Sequence, residues 1–174
     1  LDTSHLTVSQ ENIHTLLSKH SYDYIDIDPF GSPAFFVDSA FRSIKNNGII
    51  AVTATDTATL CGVYPRVCKR RYNAIPLHGA CMHETALRIL IGFIGNQAGK
   101  YDTGIVPLLS YSTDHYLRCY LEIKKGVKQA NQTIDQIRQI VSTQIPGQAR
   151  KEIPVGPIWM GFLQKKEAMM TCSQ

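Results

Sequence analysis

The chain has 174 residues, of which 44% are hydrophobic, 18% are charged and 9% are aromatic. This composition is typical of one soluble globular domain with a buried core; it excludes disordered and coiled-coil chains, and no apolar run approaches the roughly 20 residues of a membrane span. The 18 Lys and Arg against 14 Asp and Glu give a formal charge of +4, which permits a polyanionic partner without indicating one.

Two apolar segments predict neighbouring strands. Tyr22–Ile27 alternates apolar and acidic side chains and ends before a proline, which cannot continue a strand ladder. Gly48–Thr53 is a nearly continuous apolar run, as expected of a strand covered on both faces. Between them, Ser32 and Pro33 predict the start of an amphipathic helix that runs to an Asn-Asn-Gly turn at residues 46–48. Strand, helix and strand form a βαβ unit, whose crossover we expect to be right-handed.

The remaining elements follow in the same way. Residues 53–77 are rich in Thr, Gly, Pro and basic residues without a sustained period, which predicts a long loop that carries a site. Gly79–Gly99 restores a helical period. The β-rich runs Ile105–Ser112 and Tyr116–Ile123 predict an antiparallel hairpin that closes the edge of the sheet. Lys128–Ser142 carries an apolar stripe with helical spacing.

This order of elements predicts an α/β fold that is the second half of a Rossmann-like sheet, ending in an antiparallel hairpin. The α/β part covers residues 1–125, and residues 126–174 begin an appended C-terminal domain. Beyond Gln144 the sequence turns irregular, with several prolines and glycines. Because the chain opens on Leu1 and soon reads like the middle of a fold, we expect a fragment.

Five cysteines, at positions 61, 68, 81, 119 and 172, form an odd set with no secretory segment before them. We therefore expect a reducing, cytoplasmic setting without disulfides.

The best site candidate is the block Asp28-Pro29-Phe30-Gly31-Ser32-Pro33, which follows the first predicted strand. Ligands of open α/β sheets bind beyond the carboxyl ends of the strands. The alternative is a plain turn between strand and helix, in which Asp28 caps locally, Gly31 supplies an unusual dihedral angle and Phe30 fills the core.

An acid followed by proline, an aromatic residue and glycine resembles the Asp/Asn-Pro-Pro-Tyr/Phe signature of methyltransferases that modify exocyclic amines of nucleobases. Such an amine is a poor nucleophile because its lone pair is delocalised into the ring. The resemblance implies that Asp28 accepts one of its hydrogens and takes the proton as the methyl group arrives. It also implies that Phe30 stacks on an extruded base and that Pro29 keeps the turn rigid.

Further unusual blocks lie along the chain: Thr53–Gly62, Cys68–Tyr72, His83-Glu84, Arg88–Ile91, Asp114–Arg118 and Gly156–Gly161. Together with the block at 28–33 they occur in the order found in tRNA (guanine-N2)-dimethyltransferases that act at position 26. From about residue 9 to residue 163 the chain is similar to an archaeal member of that family.

The resemblance implies a class I methyltransferase that uses S-adenosylmethionine to convert one tRNA guanosine to N2,N2-dimethylguanosine. The family's Asp-Ala-Asn motif near the adenine of the cofactor falls on Asn12-Ile13-His14, so cofactor contacts are expected from Asn12, the backbone of Ile13 and Asp28. Asparagine replaces the acid here, and the Gly-rich loop of this fold is absent from the chain. Many relatives carry paired zinc cysteines; only Cys172 lies beyond Cys119 here, so no structural zinc is expected.

Two further features have open interpretations. Arg66 and Arg70 belong to the densest basic cluster, which is either a solvated loop or a surface that contacts tRNA phosphates near the flipped nucleotide. The lysines at 124, 125 and 128 could extend that surface. Asp56 is either the N-cap of a short turn, or contacts the guanine, or supports the Asp28 loop.

Other patterns favour structure over chemistry. Cysteines and histidines crowd residues 61–83, but no CxxC or HExxH pattern supports a metal site. Asp114–Arg118 is expected to form a hydrogen-bonded structural cluster, and Trp159 to anchor the tail. Two alternatives to a methyltransferase are a tRNA-binding or interaction module without catalysis and, remotely, a nicotinamide-binding half-domain without GxGxxG.

Overall fold

The computed structural model describes residues 6–144 and 151–165 and has an α/β fold. The strands are Tyr22–Ile27 (β1), Ile44–Ala54 (β2), Thr103–Ser112 (β3), Leu117–Lys125 (β4), Ile137–Gln144 (β5) and Lys151–Trp159 (β6). The α-helices are Ile13–Ser18 (α1), Val37–Ser43 (α2), Thr57–Leu60 (α3), Pro65–Tyr72 (α4), Met82–Gly99 (α5) and Val127–Ile134 (α6), and a 3-10 helix covers Pro33–Phe35.

The main sheet has the strand order β1-β2-β4-β3, and β5 and β6 form a separate two-stranded sheet. β1 and β2 are parallel, with Ile27 beside Val52. β4 runs antiparallel to both β2 and β3, and Leu117 lies beside Ala54. The parallel pair and the antiparallel hairpin predicted from the sequence are thereby confirmed.

The helix predicted after Ser32 is shorter than its apolar spacing indicated. The Ser32 hydroxyl accepts from the Ala34 N–H at 3.4 Å, as the N-cap pattern predicts, and Pro33 opens the 3-10 helix. α2 then ends at Ser43, and β2 follows without a connecting turn.

The predicted Asn-Asn-Gly turn lies inside β2 as a bulge. Tyr22 pairs with Ile44, whereas Tyr24 pairs with Ile49, so the residues between the two pairs loop out. Asn47 takes a left-handed φ of 63° in this bulge, which asparagine adopts more readily than most residues.

The prediction of one long loop over residues 53–77 is wrong, because α3 and α4 lie within it. The eight residues of α4 are too few to give a sustained period, yet they have a helical pattern. Cys68 and Tyr72, four residues apart, are buried, whereas Arg66 and Arg70 are exposed, and Pro65 occupies the first helical turn.

The prediction of a helix over Lys128–Ser142 is wrong in its second half. α6 ends at Ile134, and the following β-branched residues form β5, where Ile140 and Val141 pair with β6. Tertiary pairing therefore outweighs the helical spacing of this segment.

The chain beyond Gln144 is not irregular throughout, because β6 is a regular strand whose Val155, Ile158 and Trp159 belong to the same core as Ile27. Trp159 is 5% exposed, in keeping with its expected role as an anchor. A division of the chain into domains at residue 125 stays a prediction.

α5 is the central helix of the core. Ile89, Leu90, Ile91 and Ile94 are completely buried, and full burial of such a side chain contributes about 1.5–3 kcal/mol. Among the helices of residues 6–144 and 151–165, none is long and apolar enough to cross a membrane.

Candidate active site at the rim of the sheet

The parallel pairing of β1 and β2 brings their carboxyl ends to the same edge of the sheet. The loop that follows β1, residues 28–32, and the segment that follows β2, residues 55–56, therefore lie side by side. This is the edge at which open α/β sheets bind ligands.

Gly31 and Thr55 join the two segments. The Gly31 N–H donates to Thr55 Oγ1 at 2.6 Å, and the Thr55 N–H donates to the Gly31 carbonyl at 3.0 Å. Gly31 has a φ of +96°, a conformation that side chains with a Cβ rarely adopt, so glycine is needed for the backbone path. The plain-turn alternative expected an unusual dihedral angle at Gly31, and this part of it is confirmed.

Asp28 and Phe30 both face away from the core. Asp28 is exposed, and its carboxylate makes no hydrogen bond or ion pair with any residue in the described ranges. The Phe30 ring is fully exposed. A plain turn, with Asp28 capping locally and Phe30 filling the core, is therefore not what the chain builds. It presents an unpaired carboxylate and a bare aromatic ring two residues apart, and Pro29 between them is half-buried.

Asp56 does not cap a helix with its side chain; its carboxylate binds two residues of α4 instead. It stands at the N-cap position of α3, but its carboxylate makes no capping hydrogen bond. One carboxylate oxygen accepts from the Tyr72 hydroxyl at 2.8 Å and the other from Arg71 at 3.2 Å. The Asp56 side chain is only 8% exposed, so both oxygens have partners where water has little access.

Tyr72 links Asp56 to the loop, a connection that the sequence analysis missed. Its hydroxyl lies 2.7 Å from Ser32 Oγ, and burial raises the pKa of this hydroxyl far above its ordinary value. Thr55 was missed as well. The four-residue spacing of the apolar Cys68 and Tyr72 is the signal that predicts a buried helix face here.

α4 carries the basic cluster. Arg66, Lys69 and Arg70 lie on one exposed face, because they are three and four residues apart, and none forms an ion pair with a described residue. Arg71 differs, because it pairs with Asp56. Tyr64, 56% exposed, precedes this face.

The lysines near the end of β4 do not extend the basic face of α4. Lys125 pairs with Thr103 at one end of β4, whereas Leu117 at the other end lies beside Ala54, where β2 reaches the site. Lys124 is paired with Glu122 at 2.6 Å.

Asn12 and Ile13 begin α1, where the Asn12 side chain accepts from the His14 N–H at 2.9 Å. No hydrogen bond or ring contact between described residues joins α1 to Asp28. α1 packs instead against α2, through a contact between the His14 ring and the Ser39 hydroxyl.

The cysteines and histidines of residues 61–83 do not converge. Cys61 Sγ lies 3.8 Å from His83 Nδ1, and burial raises the pKa of Cys61. Burial also raises the pKa of Cys68 to about 12, so this thiol stays protonated. Across the part of the chain that the structure describes, no group of three or more His, Cys, Asp or Glu side chains could hold a metal ion.

The structural cluster expected around Asp114–Arg118 has two parts. In the hairpin turn, the His115 and Tyr116 N–H groups donate to Thr113 Oγ1, and the Tyr116 ring lies edge-on to Tyr111. The second part is centred on Arg118. Its guanidinium donates to both carboxylate oxygens of Asp26, at 3.1 and 2.6 Å, and lies over the Tyr120 ring at 4.8 Å. Asp114 and His115 are exposed in the hairpin turn.

A cavity of about 1370 Å³ lies elsewhere, between β3 and residues 159–165. None of the predicted site residues lines it. The candidate site is therefore an open rim at the end of β1 and β2, and this cavity is separate from it.

Comparison with known proteins decides the family. The model of the family described as N2,N2-dimethylguanosine tRNA methyltransferase matches residues 2–173. The chain belongs to this family. Its membership confirms the resemblance seen in the sequence blocks.

Two relatives named tRNA (guanine(26)-N(2))-dimethyltransferase show the extent of the match. The protein from Pyrococcus abyssi is 40% identical over an alignment of 172 positions, which covers 93% of this chain and 45% of the relative. The one from Methanobrevibacter smithii is 37% identical over an alignment of 182 positions, gaps included, which covers 93% of this chain and 47% of the relative. The chain thus spans about half the length of these dimethyltransferases.

A solved structure of Trm1 from Pyrococcus horikoshii in complex with S-adenosyl-L-methionine has the same fold. The two structures superpose with a TM-score of 0.85 at 37% sequence identity. The match covers 94% of this chain and 47% of the Trm1 chain. The α/β fold of the family therefore extends to this chain.

Proposed function

We propose that this chain is part of an enzyme that dimethylates N2 of guanosine 26 in tRNA, with S-adenosylmethionine as the methyl donor. Family membership and the relatives' names support this reaction. The single structural observation that carries the proposal is the exposed, unpaired carboxylate of Asp28 beside the fully exposed ring of Phe30.

Asp28 acts as the acceptor. Its carboxylate accepts a hydrogen bond from the exocyclic N2 amine, which returns electron density to the nitrogen, and it takes the proton as the N–C bond forms and the S–C bond breaks. Because Asp28 is exposed, a monomethylated amine also has room beside it, which a second transfer requires.

Phe30 receives the flipped guanine. A base cannot react while it is stacked in its helix, and an aromatic ring replaces part of the stacking energy that is lost on extrusion. Pro29 and Gly31 fix the path of the loop, so that carboxylate and ring keep their separation. Asp56 stabilises the loop through the Tyr72 hydroxyl, which contacts Ser32.

Arg66 and Arg70 bind the tRNA backbone next to the flipped nucleotide. Their guanidinium groups are exposed and unpaired with described residues, so they can bind phosphates without breaking an ion pair of this kind.

The residues at the start of α1 fit part of the cofactor. S-adenosylmethionine supplies an electrophilic methyl group when bound. The Ile13 N–H stands in the first helical turn, where no intrahelical acceptor reaches it, and Asn12 keeps its amide hydrogens after its oxygen has capped the helix. These donors match the ring nitrogens of a purine, and Asp28 completes the proposed set.

A cytoplasmic location accompanies this proposal. Methylation of tRNA takes place where tRNA is processed. Four of the cysteines, Cys61, Cys68, Cys81 and Cys119, are free, as expected in a reducing compartment.

The test uses the complete protein, a tRNA transcript and S-adenosylmethionine with a labelled methyl group. We expect label in N2,N2-dimethylguanosine at position 26, and no label in a transcript with adenosine at that position. Asp28→Ala should lower the transfer rate by about 10²- to 10⁴-fold and leave the Kd for tRNA nearly unchanged. Full activity of Asp28→Ala would remove the proposed role. Binding of tRNA without any methyl transfer by the unmodified protein would favour the alternative, a tRNA-binding module.

A further inference from the structure

The Tyr72 hydroxyl occupies an unusual position between the site loop and α4. The Tyr72 side chain is 2% exposed, and its ring packs edge-on against Phe93 with centroids 5.4 Å apart. Its hydroxyl, however, contacts two polar groups, Ser32 Oγ at 2.7 Å and Asp56 Oδ1 at 2.8 Å. A buried tyrosine thus places its single polar atom directly between the two segments that form the site.

The chemistry of the three groups fixes the direction of these hydrogen bonds. A carboxylate can only accept, so the Tyr72 hydroxyl donates its one hydrogen to Asp56. Ser32 must then donate to Tyr72, and a lone pair of Ser32 remains to accept the Ala34 N–H at 3.4 Å. The result is a directed series of hydrogen bonds from Ser32 through Tyr72 to Asp56.

This series binds the loop at Ser32, one residue after Gly31, which is bound to Thr55. Gly31 is held by the backbone and hydroxyl of Thr55, and Ser32 is held by Tyr72. Gly31 is therefore fixed directly to the segment after β2, and Ser32 is connected to that segment through Tyr72 and Asp56.

The same series reaches α4, the helix that carries the basic face. Tyr72 is the last residue of α4, and the neighbouring Arg71 donates to the second oxygen of Asp56. The helix that carries Arg66 and Arg70 and the loop that carries Asp28 thus share Asp56 as a common anchor.

We infer that Tyr72 is a positioning residue for methyl transfer: its hydroxyl holds the Asp28 loop in a fixed relation to α4, so that tRNA bound on α4 presents its flipped base to Asp28. This inference rests on the proposed function. Tyr72 is buried, so in this inference it acts through Ser32 and Asp56.

The experiment replaces the hydroxyl and keeps the ring. Tyr72→Phe in the complete protein should lower kcat by about 10- to 100-fold, since small misplacements of a catalytic group have effects of this size, while KM for tRNA changes less than about twofold. A role confined to stability would lower the melting temperature and leave kcat of the folded enzyme unchanged.

Tyr101→Phe is a matched control. The Tyr101 hydroxyl also donates to a carboxylate, that of Asp38 at 2.8 Å, and accepts from Arg42 at 3.0 Å, but it lies in the connection between α5 and β3. We expect this variant to keep the kcat of the unmodified protein.

A double variant tests the series itself. Ser32→Ala should reduce kcat as Tyr72→Phe does. The double variant should have about the same kcat as the slower of the two single variants, because both substitutions break the same series of hydrogen bonds. Losses that multiply would show that the two residues act separately, and a Tyr72→Phe enzyme with full kcat would overturn the inference alone. Absence of transfer in the unmodified protein, or full activity in Asp28→Ala, would instead refute the proposed function.

Discussion

Arg118 of β4 and Asp26 of β1 form a two-pronged ion pair that spans β2. Two guanidinium nitrogens donate to two carboxylate oxygens at 3.1 and 2.6 Å, and a third contact reaches the Thr53 hydroxyl. The Arg118 side chain is 13% exposed and that of Asp26 is 39% exposed. The pair therefore ties β1, β2 and β4 together close to the carboxyl end of β1, which the Asp28 loop follows.

Arg118→Met should lower the free energy of unfolding by about 1–2 kcal/mol, a value reduced from that of a buried pair because Asp26 is partly solvated. Urea unfolding of the complete protein measures the loss. Arg42→Met, which removes an exposed pair with Asp38, should have a much smaller effect. A loss at Arg118 of less than about 0.5 kcal/mol, the range of ordinary surface substitutions, would contradict the prediction.

Glu122 predicts how stability depends on pH. Hydrogen bonding from Lys124, with the charge of Lys124 and Lys165 nearby, holds the pKa of Glu122 below its ordinary value of 4.5. A lowered pKa means that the unfolded chain takes up the proton first as pH falls. The stabilisation is therefore complete above about pH 5 and is lost as pH falls through the pKa of the folded protein.

Glu122→Gln should remove this part of the acid dependence. Between pH 6 and pH 3 the urea midpoint of the unmodified protein should fall more than that of the variant. Lys124→Met, which removes the main cause of the shift, should flatten the profile in the same direction. Parallel profiles for all three proteins would show that Glu122 contributes nothing to acid stability.

The sequence predicts those parts of the fold that depend on local pattern. β1 is predicted with its observed bounds because alternation and the following proline are both local signals. β5 is not predicted, because Ile137 and Val141 also fit a helical stripe, and only pairing with β6 decides between the two.

The site shows the same division. Asp28 and Phe30 can be proposed from the sequence because the motif is contiguous, and both are exposed in the structure. Tyr72 is missed because its role depends on contacts with Ser32 and Asp56, which are 40 and 16 residues away along the chain. No local pattern reports such contacts.

We expect Gly31→Ala to lower activity, because the backbone at Gly31 has a positive φ that alanine adopts only at a cost. A Cβ at Gly31 would have no atom within 4 Å, so the cost of Gly31→Ala comes only from its φ of +96°, about 1–2 kcal/mol. Part of this strain should be relieved by movement of the loop, which would displace Asp28 and lower kcat, while tRNA affinity stays nearly constant.

Gly126→Ala is the control for Gly31→Ala. Gly126 has a φ of +131° and likewise no atom within 4 Å of a Cβ, but it follows β4 at the opposite end of the sheet. Both variants should lose similar stability in thermal unfolding, and only Gly31→Ala should lose kcat. Equal kcat values for the two would mean that the loop geometry at Gly31 does not matter for transfer.

Arg66 and Arg70 predict the salt dependence of tRNA binding. If each contacts a phosphate, replacing both with glutamine should weaken binding and reduce the slope of log K against log salt by about 1 per contact. The effect should fall on Kd, because neither side chain touches the reacting atoms. Lys128→Gln, an exposed lysine on α6 at the far end of the sheet, should leave the slope unchanged. Filter binding of tRNA at several salt concentrations measures the slopes, and an unchanged slope in the Arg66→Gln, Arg70→Gln double variant would show that tRNA phosphates lie elsewhere.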